Sequence, residues 1–518
     1  MKHLSSLAAR CAALALAGCL ALTGCSAPSS SAPASSSQPA SSGSQPVEEP
    51  DTLRVGYSIS GGFNPYVTND LMVLQVSDLV SEKLVEITPE MQLDYRVASS
   101  IVSSGQTVTI QLRSGLYFAD GAPITAEDVA ASINAARASA AYSGSLAHVT
   151  DLQVQGDQII LTLSRPDSLF AWLCALPVVK AAEVSATQPT ASGRYTYGAD
   201  NTLVPNSYSQ FASEGAPQTI ELVDASSYDA LVSGLSVGSI DLYATTRESV
   251  STAGYNSRTT SFQMNYLVFL GINSDGNTAL QDARLRQALS AAIDRDVLCQ
   301  RAYYGGALPA RGAINPLYPC VTGVQQIQVA SDLSRCETLM AEMGYKKQAS
   351  DGLYYDASGR RLELTLLVCT DSALKRSAAT ILKEQLSEAG FSVILEETDD
   401  FEGIYSQKIA NRQFDLYIGE VKLYNNMDLS PFFEGGALSS GILQNPELAA
   451  AYQAFTADSG QAEAFETLFG TQLPWLPLCW RSGTLVTSKQ VTGIVPSVSN
   501  VFYSMQGSLP DASSASAP

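Results

Sequence analysis

Two short motifs place a serine where it could act as a nucleophile. Gly234-Leu235-Ser236-Val237-Gly238 has the GxSxG spacing of a nucleophile elbow, which needs a strand before it, a helix after it and a histidine downstream. The preceding residues have a helical pattern, and His148 lies upstream of the motif. Ser372-Ala373-Leu374-Lys375 has an SxxK spacing, but the chain has no KTG motif and no convincing SDN motif to complete such a site. The sequence therefore assigns no catalytic residue.

Histidine and cysteine usage limits the remaining chemistry. His3 and His148 are the two histidines of the chain, so a multi-histidine metal site is excluded and His148 is interpreted as structural. Three of the nine cysteines lie in residues 1–25, and there is no CxxC motif. The others are expected to be buried thiols, although an oxidising compartment would permit disulfides; they are Cys174, Cys299, Cys320, Cys336, Cys369 and Cys479. No metal site and no cofactor is predicted.

The N-terminus has the pattern of an export signal. Lys2 and Arg10 provide positive charge, and the apolar run that ends at Leu22 is too short to span a bilayer permanently. Leu22-Thr23-Gly24-Cys25 resembles a bacterial lipobox, in which Cys25 would be diacylated and become the mature N-terminus. Leu16-Ala17-Gly18-Cys19 is a competing match, and an ordinary cleaved signal is a third interpretation. Cys25 is preferred, since cleavage before Cys19 leaves a very short apolar core, and residues 1–24 would then be a lipoprotein signal peptide.

A linker and an acidic body follow the signal. Residues 25–50 are predicted to be a flexible, lipid-anchored linker, because after Cys25 they are almost entirely Ser, Ala, Pro, Gln and Gly. The body, from about Asp51 to about Leu509, is long enough for two or more lobes. Residues 1–24 contain two bases and no acid, so the remaining chain carries 28 basic and 50 acidic side chains. Nucleic acid would be repelled, and contact with the membrane is expected through the lipid anchor only.

The periodicity of the body predicts an α/β arrangement. Alternating apolar residues indicate strands, and apolar residues three or four apart indicate helices. These patterns place strands over residues 53–57, 107–112, 361–369 and 391–395, and helices over residues 71–85 and 376–389. Thr125 and Asp128 predict a capping box at the start of another helix. Gly390 ends the helix over residues 376–389 between two strands, which is a crossover of the kind that builds parallel sheet.

Apolar residues recur at helical spacing over residues 282–298, and the face that they form is predicted to pack in the core. Asp282 is suited to cap the helix at its start. The apolar stripe consists of Leu285, Ala288, Leu289, Ala292 and Val297. Arg284, Arg286 and Arg295 are expected to lie mostly off this buried face.

Several blocks of sequence together point to one family. The first reads LRSGLYFADGAPITAEDV over residues 112–129. The second comprises YLVFLGIN at 266–273, LQDARLRQAL at 280–289 and AIDR at 292–295. Further blocks are PTASGRY at 189–195, GSID at 238–241, EMGY at 342–345, FDL at 414–416 and LPWLPL at 473–478. In these blocks the chain resembles the family 5 extracellular solute-binding proteins, which are the oligopeptide-, dipeptide- and nickel-binding subunits of ABC importers. The resemblance covers essentially the whole body in the right order.

The resemblance implies an α/β fold of the two-lobed periplasmic-binding-protein type (type II, large cluster C), with an extra subdomain in lobe I. Lobe I would comprise residues 51–271 and 476–508, with the inserted subdomain at about 89–190. Lobe II would span residues 272–475, and residues 509–518 would be a disordered tail. A small solute would bind in the cleft and shift a hinge equilibrium toward closure.

The resemblance also implies partners and a location. The closed form would dock on an ABC permease pair with its ATPases, at the outer face of the bacterial cytoplasmic membrane. The body is expected to be monomeric. Neither a covalent step nor a cofactor is implied, so the protein is expected not to be an enzyme.

Candidate cleft residues follow from the resemblance as well. In oligopeptide binders, a segment after the first strand and a strand of lobe II hold an extended peptide by backbone hydrogen bonds. The matching positions here are Ile59, Ser60, Gly61 and Gly62, and then Gly419, Glu420 and Val421. Glu420 stands where such binders have a tryptophan, and Leu423 or Tyr424 falls near the aspartate that holds the peptide's α-ammonium; Tyr424 is taken as a ligand contact. Because a desolvated ammonium without a carboxylate is costly, free N-termini would be recognised only if Glu420 or Asp428 substitutes.

Peptide-like solutes are the first expectation, with alternatives in the same fold and in other classes. A modified amino compound is the alternative solute, and nickel is less favoured because one histidine remains in the mature chain. An exported hydrolase would need two carboxylates converging in the cleft, and a tethered adhesion or scaffold module would show no closure. Trp172, Trp475 and Trp480 lie among Leu and Pro and are interpreted as packing residues.

Overall fold

The structure is a computed structural model that describes residues 52–212, 215–248, 256–324 and 327–505. The predicted signal peptide, Cys25, the linker and the tail over residues 509–518 lie outside these ranges. Within them, none of the helices combines the length and the apolar composition that a membrane crossing requires.

The described chain contains both helices and strands, in the order that their residue numbers give. The helices are α1 (Leu71–Val80), α2 (Ala126–Ala138), α3 (Tyr228–Val237), α4 (Ala283–Ala292), α5 (Arg295–Ala302), α6 (Leu333–Glu342), α7 (Ala373–Ala389), α8 (Ser406–Ala410), α9 (Pro446–Ala457) and α10 (Ala462–Gln472). The strands are β1 (Thr52–Tyr57), β2 (Val85–Ile87), β3 (Leu93–Tyr95), β4 (Ala98–Ser104), β5 (Thr107–Leu112), β6 (Val149–Gln155), β7 (Gln158–Leu163), β8 (Tyr195–Tyr197), β9 (Thr202–Pro205), β10 (Thr219–Asp224), β11 (Leu242–Thr245), β12 (Ser257–Ile272), β13 (Ala307–Pro309), β14 (Lys346–Lys347), β15 (Tyr354–Tyr355), β16 (Glu363–Cys369), β17 (Ser392–Thr398), β18 (Leu416–Lys422), β19 (Trp475–Ser488), β20 (Ile494–Val495) and β21 (Ser504–Met505).

One large mixed sheet organises the body, and two long strands run through its middle. Its order is β17-β16-β18-β12-β19-β11-β1-β10-β9-β8, with β13 also paired to β19. At one end of the β12–β19 ribbon, β19 pairs with β11; at the other end, β12 pairs with β18 and β19 pairs with β13. We call the part that contains β1 and β8–β11 the first half of the sheet, and the part that contains β13 and β16–β18 the second half.

The ribbon is irregular where it passes from one half to the other. Phe262 pairs with Gly483 and Tyr266 pairs with Arg481, so four steps along β12 correspond to two steps along β19. Extra residues in one strand of an antiparallel pair make a bulge, which bends and twists the pair locally. The crossing point between the two halves is therefore the place where the ladder is least regular.

A separate four-stranded antiparallel sheet, in the order β4-β5-β7-β6, packs with α2. The predicted strand over residues 107–112 is confirmed as β5. The predicted capping box is also confirmed, because the Thr125 hydroxyl accepts the Asp128 backbone N–H while the Asp128 carboxylate accepts the Thr125 N–H. The local sequence signals in this region were sufficient because caps and alternating strands depend on neighbouring residues.

The predicted crossover is confirmed in the second half of the sheet. β16 and β17 pair in parallel, and α7 connects them. Gly390 ends α7 in the left-handed conformation at φ 108°, where a side chain would be strained. The helix predicted over residues 71–85 is shorter than expected and ends at Val80, since residues 85–87 pair as β2 with β3 instead.

The expectation for residues 282–298 is wrong in two respects. Asp282 does cap α4, but the helix stops at Ala292 and Asp294 caps a new helix, α5. This break rotates the later residues, so Arg295 is fully buried while Val297 is 37% exposed.

Arg286 is also buried, at 5% exposure. Its guanidinium donates to the backbone oxygens of Leu280, Gln281, Gln472 and Leu473. Arg295 likewise donates to the backbone oxygens of Ser290, Gln328 and Pro477. Both arginines therefore join α4 and α5 to distant segments instead of facing water.

The tryptophans and cysteines behave as packing residues. Trp475 and Trp480 are 1% and 0% exposed, and Trp475 stacks on Phe432 with ring centroids 4.1 Å apart. The Trp172 indole donates to the Met91 carbonyl at 2.9 Å. Of the cysteines in the described ranges, all are free thiols and all but Cys320 are buried, which confirms the expectation for the other five.

Candidate functional site

The cleft lies where strand ends of the two halves meet. β1 and β11 are parallel neighbours in the first half, and β16 and β18 are parallel neighbours in the second. Carboxyl ends of parallel strands lie at the same edge of a sheet, where ligands commonly bind. Glu248, three residues after β11, contacts Ser372 and Lys375, which follow β16. The two edges therefore face each other.

A cavity of about 950 Å³ lies at this junction. Side chains from both halves line it, including Arg247, Glu248, Tyr304, Asp371, Leu374 and Arg481. Ligand pockets in proteins usually enclose about 300–1,000 Å³ and combine apolar surface with a few polar groups. The cavity is therefore large enough for a solute of several residues and contains charges of both signs.

Four charged side chains connect the two halves beside this cavity. The Glu248 carboxylate lies 3.2 Å from the Lys375 ammonium and accepts the Ser372 hydroxyl. Lys375 also lies 3.7 Å from Glu420. Arg481 donates to Glu420 through Nη2 at 2.7 Å and Nε at 3.2 Å. This cluster spans the cleft because Glu248 belongs to the first half, Lys375 and Glu420 belong to the second, and Arg481 lies on β19, which runs between them.

Arg481 is the most buried member of the cluster, with its side chain 7% exposed. Its Nη1 donates to the Thr246 carbonyl at 2.6 Å, and its guanidinium lies 4.7 Å from the centroid of the Tyr266 ring. Burial alone would lower the pKa of Arg481, but hydrogen bonding and attraction from Glu420 raise it above the usual value. Arg481 is therefore a permanent cation at the crossing point of the ribbon.

A second, smaller cavity of about 240 Å³ also has walls from both halves. Its lining includes Gln75, Asp78, Lys83, Tyr142, Lys422 and Asn425. Lys83 is 2% exposed and lies 2.8 Å from the Asp78 carboxylate. Burial raises the pKa of Asp78 to about 7, although Lys83 acts in the opposite direction. Lys422 is exposed and lies 5.9 Å from the centroid of the Tyr266 ring, which Arg481 also contacts.

The segment predicted to follow the first strand forms a tight turn. Ile59, Ser60 and Gly61 make a short 3₁₀ helix, in which the Gly61 N–H donates to Ser58 at 2.8 Å. Gly62 has φ 70°, and a Cβ there would lie 2.7 Å from the Thr187 carbonyl. Ile59 is 41% exposed. None of these four residues lines either cavity, so the structure does not bring them to the charged cluster.

The predicted strand in the second half is present as part of β18. Gly419, Glu420 and Val421 pair with Phe269, Val268 and Leu267 of β12. A Cβ on Gly419 would lie 2.3 Å from the Phe269 ring, so packing alone accounts for the glycine.

One edge of β18 has free backbone groups near the cleft. The Leu423 N–H donates to Asn265 beside β12, whereas the Ile418 carbonyl accepts the Tyr405 hydroxyl on the other side. Because successive residues of a strand direct their backbone groups to opposite sides, Glu420 and Lys422 face away from β12. On that side, β16 pairs only as far as Tyr417. Among the described residues, no strand pairs with the Glu420 and Lys422 backbone groups on that side, so these donors and acceptors could pair with a further strand.

The two carboxylates considered for an ammonium are both engaged. Glu420 pairs with Arg481, as described above. Asp428 lies 2.6 Å from Arg165 and accepts the Tyr452 hydroxyl at 2.9 Å. Burial works against ionisation, but hydrogen bonds from Ser430 and the attraction of Arg165 lower the pKa of Asp428. Tyr424 is 44% exposed, and its hydroxyl lies against Gly144 of the chain segment between α2 and β6.

The two serine motifs have structural roles. Ser236 lies within α3 and its hydroxyl donates to the Val232 carbonyl, so no nucleophile elbow exists there. Ser372 is the N-cap of α7 and accepts the Lys375 backbone N–H at 3.1 Å. His148 lies 2.8 Å from the Ser164 hydroxyl at the protein surface.

Apart from Glu420, sequence reasoning missed the residues that form the charged cluster. Ser372 and Lys375 attracted attention only as a possible SxxK motif. Glu248 and Arg481 lie in no recognised motif, and Arg481 meets Glu420 across 61 positions of sequence. A position after a strand end is the one signal that could have selected Glu248 and Lys375. No such signal marks Arg481, which lies in the middle of β19.

Two comparisons with known sequences match this chain over most of its length. A family model described as "Bacterial extracellular solute-binding proteins, family 5 Middle" matches residues 92–441. The oligopeptide-binding protein AppA of Bacillus subtilis (strain 168) is 22% identical over 412 residues, which are 73% of this chain and 75% of that protein.

Two solved structures show the same fold. The structure titled as a nickel ABC transporter from Bacillus halodurans has a TM-score of 0.72 at 20% identity, and the match covers 89% of this chain and 100% of that one. AppA from Bacillus subtilis in complex with a nonapeptide has a TM-score of 0.52 at 18% identity, with 88% and 98% covered. The two-lobed α/β fold class expected from the sequence is confirmed.

Proposed function

Because the chain belongs to the bacterial extracellular solute-binding proteins of family 5, we propose that it is the solute receptor of an ABC importer. It captures a peptide-like solute between the two halves of the sheet and presents the closed form to an ABC permease pair with its ATPases. AppA, which resembles the chain over most of its length, is named as an oligopeptide-binding protein. The family assignment fits a binding role and not catalysis.

The observation that carries the proposal is the 950 Å³ cavity with walls from both halves. A solute held there contacts both halves only when they are together, so its binding favours the closed form. The open edge of β18 at Glu420 and Lys422 supports a peptide-like solute. An extended peptide could pair with these backbone groups as an added strand, and neighbouring pockets could select its side chains.

We propose lobe boundaries that follow the ribbon. Lobe I comprises residues 51–271 and 476–508, with the inserted subdomain at about 89–190, and lobe II comprises residues 272–475. The two register shifts of the β12–β19 ribbon, between Phe262 and Tyr266 and between Val268 and Phe269, lie shortly before the proposed boundary after residue 271 and support a change of lobe near the end of β12. The separate sheet of β4–β7 supports a subdomain inserted in lobe I.

We also propose that Cys25 carries the lipid anchor after removal of residues 1–24. The lipobox-like sequence and the Ser-, Ala- and Pro-rich linker support this assignment. The monomeric body would then be held at the outer face of the cytoplasmic membrane, within reach of its permease.

Native mass spectrometry of freshly purified protein tests the binding role. We expect a retained small molecule of discrete mass, and solution scattering should show a smaller radius of gyration with that molecule than after its removal by mild denaturation and refolding. A binding-deficient control is needed, and Arg481→Gln serves because it removes the hydrogen bonds through which Arg481 joins Glu420 to the Thr246 carbonyl beside the cavity. Turnover of the retained molecule into products, or an unchanged radius with every peptide tested, would overturn the proposal.

A further inference from the structure

We propose that the cleft holds its solute through a carboxylate, with Lys422 as the binding cation, and does not require a free ammonium on the solute. This inference rests on the proposed function, because it defines the chemical class of the same peptide-like solute. N-blocked peptides and other carboxylic acids with an amide backbone belong to this class.

The carboxylates around the cleft are nearly all paired with protein cations. Glu248 lies 3.2 Å from Lys375, and Glu420 lies 2.7 Å from Arg481. The other two pairs are Asp428 with Arg165 at 2.6 Å and Asp78 with Lys83 at 2.8 Å. An ammonium buried in the cleft would have to displace one of these cations, and an unpaired buried charge is costly.

Two cations that line the cavities have no such partner. Within the described ranges, no carboxylate lies at ion-pair distance from the Arg247 guanidinium or the Lys422 ammonium, and each cationic group lies near an aromatic ring. Arg247 lies 4.6 Å from the Tyr228 centroid, and Lys422 lies 5.9 Å from the Tyr266 centroid. Asp371, exposed at the edge of the larger cavity, likewise has no cation at that distance among the described residues. An incoming carboxylate therefore finds one unpaired cation in the wall of each cavity, Arg247 in the larger and Lys422 in the smaller, whereas an ammonium finds one exposed acid.

The cleft also differs in charge from the rest of the molecule. The chain as a whole has a formal net charge of −20. Around the ribbon crossing, the four cations Arg247, Lys375, Lys422 and Arg481 outnumber the three acids Glu248, Asp371 and Glu420 by one. An excess of one sign in a cleft attracts ligands of the opposite sign. This small local excess of positive charge, in a protein that is acidic as a whole, favours an anionic solute.

Lys422 is the favoured binding cation because it combines charge with an open backbone edge. Its own N–H and that of Glu420 face away from β12, as derived above. A peptide paired along this edge could place a carboxylate near the Lys422 ammonium without disturbing the pair of Glu420 and Arg481. No other unpaired cation of the two cavities lies on β18 within the described ranges.

Three forms of one tripeptide pool test the inference: free termini, N-acetylated and C-amidated. We expect solute-free full-length protein to bind the N-acetylated pool within about three-fold of the free pool, and the C-amidated pool at least ten-fold more weakly. Isothermal titration at low salt measures the affinities, and native mass spectrometry identifies the bound members. Affinity for the free pool should fall as salt is raised.

Lys422→Gln is expected to weaken binding of the N-acetylated pool at least ten-fold. Lys383→Gln is the matched control, since Lys383 is an exposed lysine of α7 that lines neither cavity. Far-ultraviolet circular dichroism and the unfolding midpoint establish that both variants are folded.

The outcomes separate this inference from the proposed function. A ten-fold loss on acetylation, or equal affinity for all three pools, would overturn the inference and leave a peptide receptor. Unchanged affinity of Lys422→Gln would overturn the assignment of Lys422. Absence of binding to all three pools would overturn the peptide receptor itself, and this inference with it.

Discussion

The Glu248 carboxylate lies 3.2 Å from the Lys375 ammonium, and this contact joins the two halves of the sheet across the cleft. Both side chains are about one-fifth exposed, at 24% and 20%. The same carboxylate accepts the Ser372 hydroxyl at the start of α7, where the helix dipole favours negative charge. Glu248 is therefore the residue of the first half that is most directly tied to the second.

Glu248→Gln should favour the open form of the solute-free protein. A partly exposed ion pair contributes about 0.2–1 kcal/mol, so the ratio of closed to open forms should fall by no more than about five-fold. Solution scattering would detect this as a larger radius of gyration without solute. Glu397→Gln, which removes the ion pair of Glu397 with Arg376 on the outside of the second half, is the control. An equal radius change in both variants, or none in either, would contradict the role given to Glu248.

Gly419→Ala should destabilise the protein through packing. The added Cβ would lie 2.3 Å from the Phe269 ring, and overpacking of this kind typically costs about 1–3 kcal/mol. Gly470→Ala is the comparison, because Gly470 lies in α10 with no atom within 4 Å of an added Cβ. There the change should stabilise by about 0.5–1 kcal/mol. Urea unfolding measures both, and a tolerated Gly419→Ala would show that the Phe269 ring can move aside.

Deprotonation of Glu466 should lower the free energy of unfolding as pH rises from about 5 to 8. Burial raises the pKa of Glu466 to about 7, despite hydrogen bonds from the Ile314 and Ala313 N–H groups. The folded state therefore holds a proton that the unfolded state has lost. This contribution is complete below the ordinary value of about 4.5 and is lost as pH rises through 7, with a size on the order of 3 kcal/mol.

Glu466→Gln should reduce this loss of stability, as measured by urea midpoints at pH 5 and pH 8. Some loss should remain, since burial also raises the pKa values of Asp78 and Glu82 to about 7. The variant should be less stable than the parent at pH 5, because an amide oxygen cannot accept both backbone N–H groups as well as a carboxyl group does. The same pH dependence in parent and variant would show that Glu466 titrates normally.

Cys25→Ser should release the protein from the membrane fraction. A serine cannot carry the thioether-linked lipid, and two acyl chains are what hold such a protein on a bilayer. Immunoblots of membrane and soluble fractions measure the change. Cys19→Ser is the control and should leave the protein in the membrane fraction; the reverse pattern would move the anchor to Cys19.

The sequence predicted elements that depend on nearby residues. The capping box at Thr125, the end of α7 at Gly390 and the parallel pair of β16 and β17 were all foreseen, since caps, turns and periodicity are short-range. The family resemblance supplied the fold class, because its blocks are mainly structural.

Long-range pairing could not be predicted in the same way. Arg286 and Arg295 looked like surface residues of one helix, and only the tertiary fold supplies the backbone carbonyls that make their burial possible. Glu420 was placed correctly on a strand of the second half, but its partner Arg481 lies on another strand. The charged cluster therefore became visible only once β18 and β19 were known to flank β12.

The β12–β19 ribbon also has a thermodynamic consequence for the whole body. Its hydrogen-bonded ladder pairs with strands of both halves of the sheet, so melting one half would strip partners from strands that the other half needs. Heat denaturation should consequently appear as a single calorimetric peak, with matching van't Hoff and calorimetric enthalpies. Solute-driven motion and cooperative unfolding thus depend on the same pair of strands.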